Sequence, residues 1–361
     1  MRIAPFMIFT LLIAGCSRPA PPPIAPAQDT TPNCVQITPV VAAMPNIPTH
    51  LAIAATSTYF VQETDNGLDT VYRIDPLDQS HTTALTSAAV AAAMGKPTGT
   101  GNFQDLAAEG DTLYFYFAGQ QGHEFFSCVG RFDPAGKIQI LADYQFLSTL
   151  CAVGDSISIY RAEMAASGDI IWLWLHSVDG SFFLQIDPSN PDATAIVSRP
   201  FIQPQADLTT LQFTNDNYAV GAGPDGDLLV LDYFVGDLWQ ISPQGLAKPL
   251  HSLTGLPSSA SAPALDPSER IAIFFSGTDL FVPRSDAQQM EQTPYTEFPA
   301  LMLFSDQDTQ SFSVTALRTP AEFPAAKLQF ACMRPTSDGS GWIAYNPSDG
   351  EFFRLKLAHQ D

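Results

Sequence analysis

Three stretches of this chain repeat at a fixed interval. "AAEGDTLYFYFAG" begins at Ala107, "AASGDIIWLWLHS" at Ala165 and "AGPDGDLLVLDYF" at Ala222. Their glycines, Gly110, Gly168 and Gly226, stand 58 residues apart. Each time a Gly-Asp turn feeds a run of aromatic and aliphatic residues. A looser copy, "PSDGEFFRLKL", starts at Pro347, and weaker ones start at Ala55, Pro267 and Ser337. A second marker sits between the copies: a strand-like run ends in an Asp/Ser-Pro turn at Pro76, Pro134, Pro188 and Pro243. Another short apolar run follows each turn. Proline suits that turn because it fixes φ and has no N–H to give a ladder.

Each unit therefore holds about four short strands, and the period is roughly 40–60 residues. Helical spacing is nearly absent; "SAAVAAAM" (87–94) is the one convincing helix. Internal repetition of this length in an all-β chain predicts blades. A radial β-propeller keeps its sheet edges short and protected, and the turns count to six four-stranded blades. The last unit lacks a fourth strand. The extended pattern of "CVQITPVV" (34–41) supplies it, so an N-terminal strand closes the ring in the last blade.

The residues before that strand are of another kind. Residues 3–14 are almost all apolar and follow a single charge, Arg2. About twelve residues are too few to span a bilayer, which takes roughly 20, and they match the h-region of a secretory signal. The ending Ile13-Ala14-Gly15-Cys16 resembles the lipobox of bacterial lipoproteins. That resemblance implies cleavage before Cys16 and a lipid on its thiol; Ser17 after it implies the outer membrane. The alternative is an ordinary signal peptide that contains a cysteine. "SRPAPPPIAPAQDTTPN" then has too much proline for helix or sheet and too little apolar content for a core. The expected divisions are a signal peptide at 1–15, a lipidated Cys16 with a Pro-rich tether at 16–33, and a propeller at 34–361.

Of 361 residues, 45% are hydrophobic and only 15% charged, so the body is large enough for an extensive core. The formal charge of −21 repels phosphate backbones and anionic lipid. Nucleic acid is thus not an expected partner, and the membrane is expected to be reached through the lipid alone. Beyond Cys16 there are four cysteines, Cys34, Cys128, Cys151 and Cys332, and no CxxC pair. An even number in an exported chain suggests disulfides. The repeat favours Cys34–Cys332, on neighbouring strands of the last blade, and Cys128–Cys151, pinning blade two to the start of blade three.

"GPDGDLLVLDYFVGDLWQISPQG" (223–245) resembles one repeat of the NHL, gluconolactonase and strictosidine-synthase-like propellers. The matching positions are Asp225–Gly226, Asp232 and Pro243–Gly245. The close match covers one blade; the others keep only the skeleton. The lactonase branch implies a divalent cation, Ca²⁺ or another, held in the central channel by carboxylate and amide oxygens. Reading back from each turn along the innermost strands gives channel candidates His50, Asn102, Asp105, Tyr160, Arg161, Glu163, Asn217 and Tyr218. Asn102, Asp105 and Asn217 could build an oxygen site. Against it, His50 stands where that family would supply a glutamate, and Arg161 brings positive charge. The plainer reading is a set of solvated or hydrogen-bonded channel residues.

Other motifs are thin. "GAGPDG" (221–226) fits GxGxxG, but a strand rather than a helix follows, so it reads as a β-turn. "SDQDTQSF" (305–312) lacks the glycine and closing glutamate of an EF-hand loop. HExxH and GxSxG are absent, and the six histidines are scattered. Trp172 and Trp174 alternate on one strand, as expected for packing between blades. Residues 282–300 interrupt the repeat with a polar, proline-bearing stretch, either a binding loop or a plain connection. With no assembled catalytic set and no predicted cofactor, the leading expectation is a binding scaffold in the cell envelope, its partner an envelope protein or a small molecule. The alternative is a divalent-metal-dependent lactonase or hydrolase working in the channel.

Overall fold

The computed structural model describes residues 34–41, 50–54, 57–64, 68–74, 80–151, 159–177, 180–193, 195–198, 218–233, 235–266, 268–281, 299–308, 311–318, 332–336, 341–346 and 351–358. All of them lie within the unit Pro32–Asp361. They form an all-β, six-bladed propeller. From the innermost strand outward, blade one is Leu51–Ile53, Thr58–Glu63, Asp69–Ile74 and His81–Thr86. Blade two is Asn102–Glu109, Thr112–Gln121, Glu124–Phe132 and Ile138–Asp143. Blade three is Ile159–Ser167, Ile170–Ser177, Gly180–Ile186 and Ala195–Ser198. Blade four is Tyr218–Ala222, Leu228–Asp232, Asp237–Ile241 and Ala247–Ser252. In blade five the innermost strand is split into Pro257–Ala260 and Ala264–Leu265, followed by Ile271–Leu280, Ala300–Asp308 and Ser311–Arg318.

Blade six runs Cys332–Pro335, Trp342–Asn346, Glu351–Ala358, and its outermost strand is Cys34–Val41. The first strand of the fold thus pairs antiparallel with the last, Cys34 opposite Ala358 and Phe353 opposite Pro39. A single parallel bridge, Cys34 to Arg318, links it to blade five. The expected closure is formed by the residues the pattern picked out.

The apolar strands need no polar face because each blade is covered on both sides. Side chains alternate across a strand. In Leu228–Asp232, Leu228 and Val230 enter the core shared with blade three, and Leu229 and Leu231 the core shared with blade five. The described residues form six such cores, one at each blade interface. Trp172 and Trp174 are fully buried between blades three and four. Trp172 Nε1–H donates to the Gly226 carbonyl of the next blade at 2.8 Å.

The repeated glycines have a local cause. Gly110 and Gly168 sit at φ of 56° and 59° with nothing near a would-be Cβ, so backbone conformation alone selects glycine there. Blade five makes its turn without one. Glu269 takes φ of 60°, held by Asp266, whose carboxylate accepts from the Ser268 and Arg270 amides and pairs with the Arg270 guanidinium.

Among the described residues there are two α-helices. α1 (Ser87–Ala93) is the expected one, capped by Thr86 Oγ1, which accepts from the Ala89 amide. α2 (Tyr144–Cys151) was not anticipated; Asp143 Oδ1 caps it by accepting from Phe146 N–H at 2.8 Å.

The expected disulfides are not formed. Cys34 lies on the outermost strand of blade six and Cys332 on the innermost, with two strands between them. Three strand spacings are about 14 Å, against the roughly 4.4–6.8 Å between Cα atoms that a disulfide needs. The Cys34 thiol instead lies 3.5 Å from the Ala358 carbonyl. Cys128 and Cys151 fall on opposite faces of blade two. Cys128 packs with Phe103, Phe115 and Phe117, and Cys151 with Tyr116, Val129 and Leu141. The pleat separates them, and no bond joins them.

Candidate functional site: the two ends of the central channel

The innermost strands contact one another around the ring, blade one to two, two to three and onward back to one. At the end where each strand turns outward they enclose a cavity of about 420 Å³. Every blade contributes: Ala52 and Ala54, Ala107 and Ala108, Ala165 and Ala166, Gly221 and Ala222, Pro263 and Ala264, Arg334 and Thr336. Small side chains let six strands converge. At Gly221 a Cβ would lie 2.0 Å from the Pro263 carbonyl, so that position of the wall has no room for one. Among the described residues Glu109 is the one acidic and Arg334 the one basic lining residue. Partial burial, and then the Asp169 charge, raise the Glu109 carboxyl above its ordinary value. The sequence reading did not single out this wall, although the Ala-Ala pair before the turn in blades one, two and three was its signal.

At the other end, where the innermost strands begin, acidic side chains hold neighbouring blades together. Asp69 Oδ2 of blade one accepts from the Phe103 amide of blade two at 2.9 Å. Asp105 Oδ2 of blade two accepts from the Met164 amide of blade three at 2.6 Å. Glu163 Oε2 of blade three accepts from the Val220 amide of blade four at 3.2 Å. Asp105, only 6% exposed, also places Oδ1 3.3 Å from His50 Nδ1. A carboxylate that accepts a backbone N–H satisfies a donor that would otherwise be orphaned in the interior. Asp69 is raised above the ordinary carboxyl value, by burial first; the Phe103 amide and His50 pull the other way.

The channel candidates therefore separate into groups. His50 and Asp105 do meet, and Glu163, on the inner strand of blade three, binds blade four instead. Asn102 is exposed at the strand start. Tyr218 is not a channel residue: it is fully buried between blades three and four, with its ring 5.4 Å from Trp174 and 6.2 Å from Phe183. Its parity at the head of Tyr218–Ala222 turns it into the interblade core. Tyr160 and Arg161 lie on the innermost strand of blade three, but their side chains are outside the described residues, as are Asn217, Cys16 and the 282–298 stretch. Asp69 is a member of the set that sequence reasoning missed; it stands on the third strand of its blade, where no turn marker points inward. Among the described residues no group of three or more His, Cys, Asp or Glu side chains is placed to hold a metal ion.

No family model matches the chain, and no curated protein matches it. Solved structures do. A structural-genomics protein of unknown function from Bacteroides thetaiotaomicron superposes with a TM-score of 0.52 at 11% identity, over 90% of this chain and 76% of that one. Virginiamycin B lyase from Staphylococcus aureus gives a TM-score of 0.49 at 11% identity, over 90% of this chain and 100% of that one. At such identity the likeness shows the fold alone.

Proposed function

We propose that this chain is a lipid-anchored propeller of the bacterial cell envelope, held by Cys16 through its proline-rich tether, and that it works as a binding scaffold. One observation carries the scaffold half: the channel carboxylates Asp105 and Glu163 accept backbone amides of the next blade. Groups committed to joining blades serve the frame. The lactonase reading asks Asp105 to ligate a cation together with Asn102 and Asn217. Asp105 spends one oxygen on the Met164 amide and turns the other to His50, which supports a role in the frame. The envelope half rests on Ile13–Cys16 and the run of prolines after it.

The test is crosslinking of the full chain in intact cells, with recovery of whatever it holds. A specific envelope partner supports the scaffold. No partner, together with turnover of a lactone or ester by the purified chain, overturns it.

A further inference from the structure

The cavity where the inner strands turn outward has a wall with three kinds of group. The first is main chain. Residues of an antiparallel pair alternate between those that exchange hydrogen bonds with the facing strand and those whose N–H and C=O point to the other edge. Met164 and Val220 are of the second kind, because their amides reach Asp105 and Glu163 across the inner edge. Ala166 and Ala222 stand two positions on, in unbroken register opposite Ile171 and Leu228, and share that parity. Blade two closes its turn as blade three does, Glu109 opposite Thr112 and Ser167 opposite Ile170, so Ala108 stands as Ala166 does. All three line the cavity. Among the described residues no backbone bond joins their N–H or C=O to another blade.

The second kind is charge, one of each sign. Glu109 ends the inner strand of blade two, and the Asp169 charge on the next blade's turn acts on its carboxyl. Arg334 lies on the inner strand of blade six, where Nη1 donates to the Met333 carbonyl at 3.3 Å. A guanidinium carries five N–H donors in a planar fork that matches a carboxylate. The third kind is apolar. Blade one stands between those two blades, its inner strand touching both of theirs, and it offers Ala52 and Ala54 to the cavity. The wall thus reads acid, apolar span, base. Its volume of about 420 Å³ falls within the roughly 300–1,000 Å³ of small-molecule sites.

We infer that this cavity binds a short peptide zwitterion of two or three apolar residues. Its amine faces Glu109, its carboxylate faces Arg334, and its peptide groups meet the main chain of the inner strands. The inference rests on the reading of this chain as a binder and names a ligand for it. A plain anion is opposed by the chain's −21. A plain cation meets Arg334 in the wall. A zwitterion has no net charge to be repelled, and it gains from both lining charges at once. An ammonium beside Glu109 also relieves the repulsion from Asp169.

The probe is a panel of dipeptides and tripeptides of Ala, Val and Leu, titrated calorimetrically into the full chain in detergent. We expect a subset to bind, one per chain. N-acetylation should weaken that subset at least tenfold, and C-terminal amidation should do the same. Glu109→Gln should weaken the free peptide about tenfold and leave the acetylated one unchanged. Arg334→Gln should weaken the free peptide about tenfold and leave the amidated one unchanged. Lys248→Glu, on the exposed outer strand of blade four, should alter neither. Failure of every peptide to bind overturns the inference, as does equal binding of free and capped forms, a comparison that needs no variant. So does binding insensitive to Glu109→Gln. If no peptide binds while a partner crosslinks in cells, the scaffold stands and this cavity is not its site. If peptides bind and nothing crosslinks, the cavity stands and the protein scaffold falls.

Discussion

At the scale of single residues, the carboxylates near the channel are the sharpest test of the fold's logic. Asp105→Ala removes the acceptor for the Met164 amide in a buried place. An unsatisfied buried donor costs about 1–3 kcal/mol, so urea denaturation should show a loss of that size. Asp105→Asn keeps an acceptor oxygen and should lose less than half as much. Asp69 gives a pH signature of opposite habit to most paired acids. Its folded value is raised, so in the window above the ordinary 3.8 the folded state binds more protons than the unfolded one. Its contribution is therefore present below that value and is lost as pH rises through the raised one. Asp69→Asn, which can still accept from Phe103, should melt about 2 °C above wild type at pH 7, and the two should converge near pH 3.5.

At the scale of elements, the closing strand is the weak seam. Val35 is fully buried in the core between blades five and six. Val35→Asp puts a charge there without a partner and should cost about 3–5 kcal/mol, read as a lowered urea midpoint. Most elements were legible beforehand because burial on both faces leaves aromatic and β-branched runs that nothing but a strand would use. The closing strand was legible from a deficit, a last unit one strand short. α2 was not, since eight residues give little periodicity, although an Asp heading "YQFLSTLC" is a cap signal. Nor were the cysteine positions. Cys128 was placed in the right blade, but one step of pleat decides which core a side chain enters. The turn of blade five was legible at Pro267, but the break at Ser261–Pro263 in the inner strand before it was not, because turn spacing locates a strand and not its continuity.

For the molecule as a whole, two predictions separate anchoring from chemistry. Cys16→Ser should move the chain from the membrane fraction to the soluble fraction of fractionated cells; retention in the membrane would remove the lipid anchor from the proposal. The melting temperature should be the same in calcium and in EDTA, and a fall of several degrees in EDTA would put the metal-dependent hydrolase ahead of the scaffold. The channel's overall form was legible as a consequence of the repeat, but its cavity was not. Turn spacing locates the inner strands, while the cavity depends on which of their residues are small.

The pairing of Cys34–Val41 with Glu351–Ala358 also has a consequence in time. A ribosome delivers the first of these strands more than 300 residues before the second. At about 5–20 residues per second that is a wait of roughly 15–60 s. Through that interval the opening strand has no partner, and the ring stays a cut sheet with two bare edges. The contact that completes the molecule is the most distant in sequence, so it belongs to the slow end of folding. Until the last strand joins the first, each new copy lies open to proteases and to its neighbours.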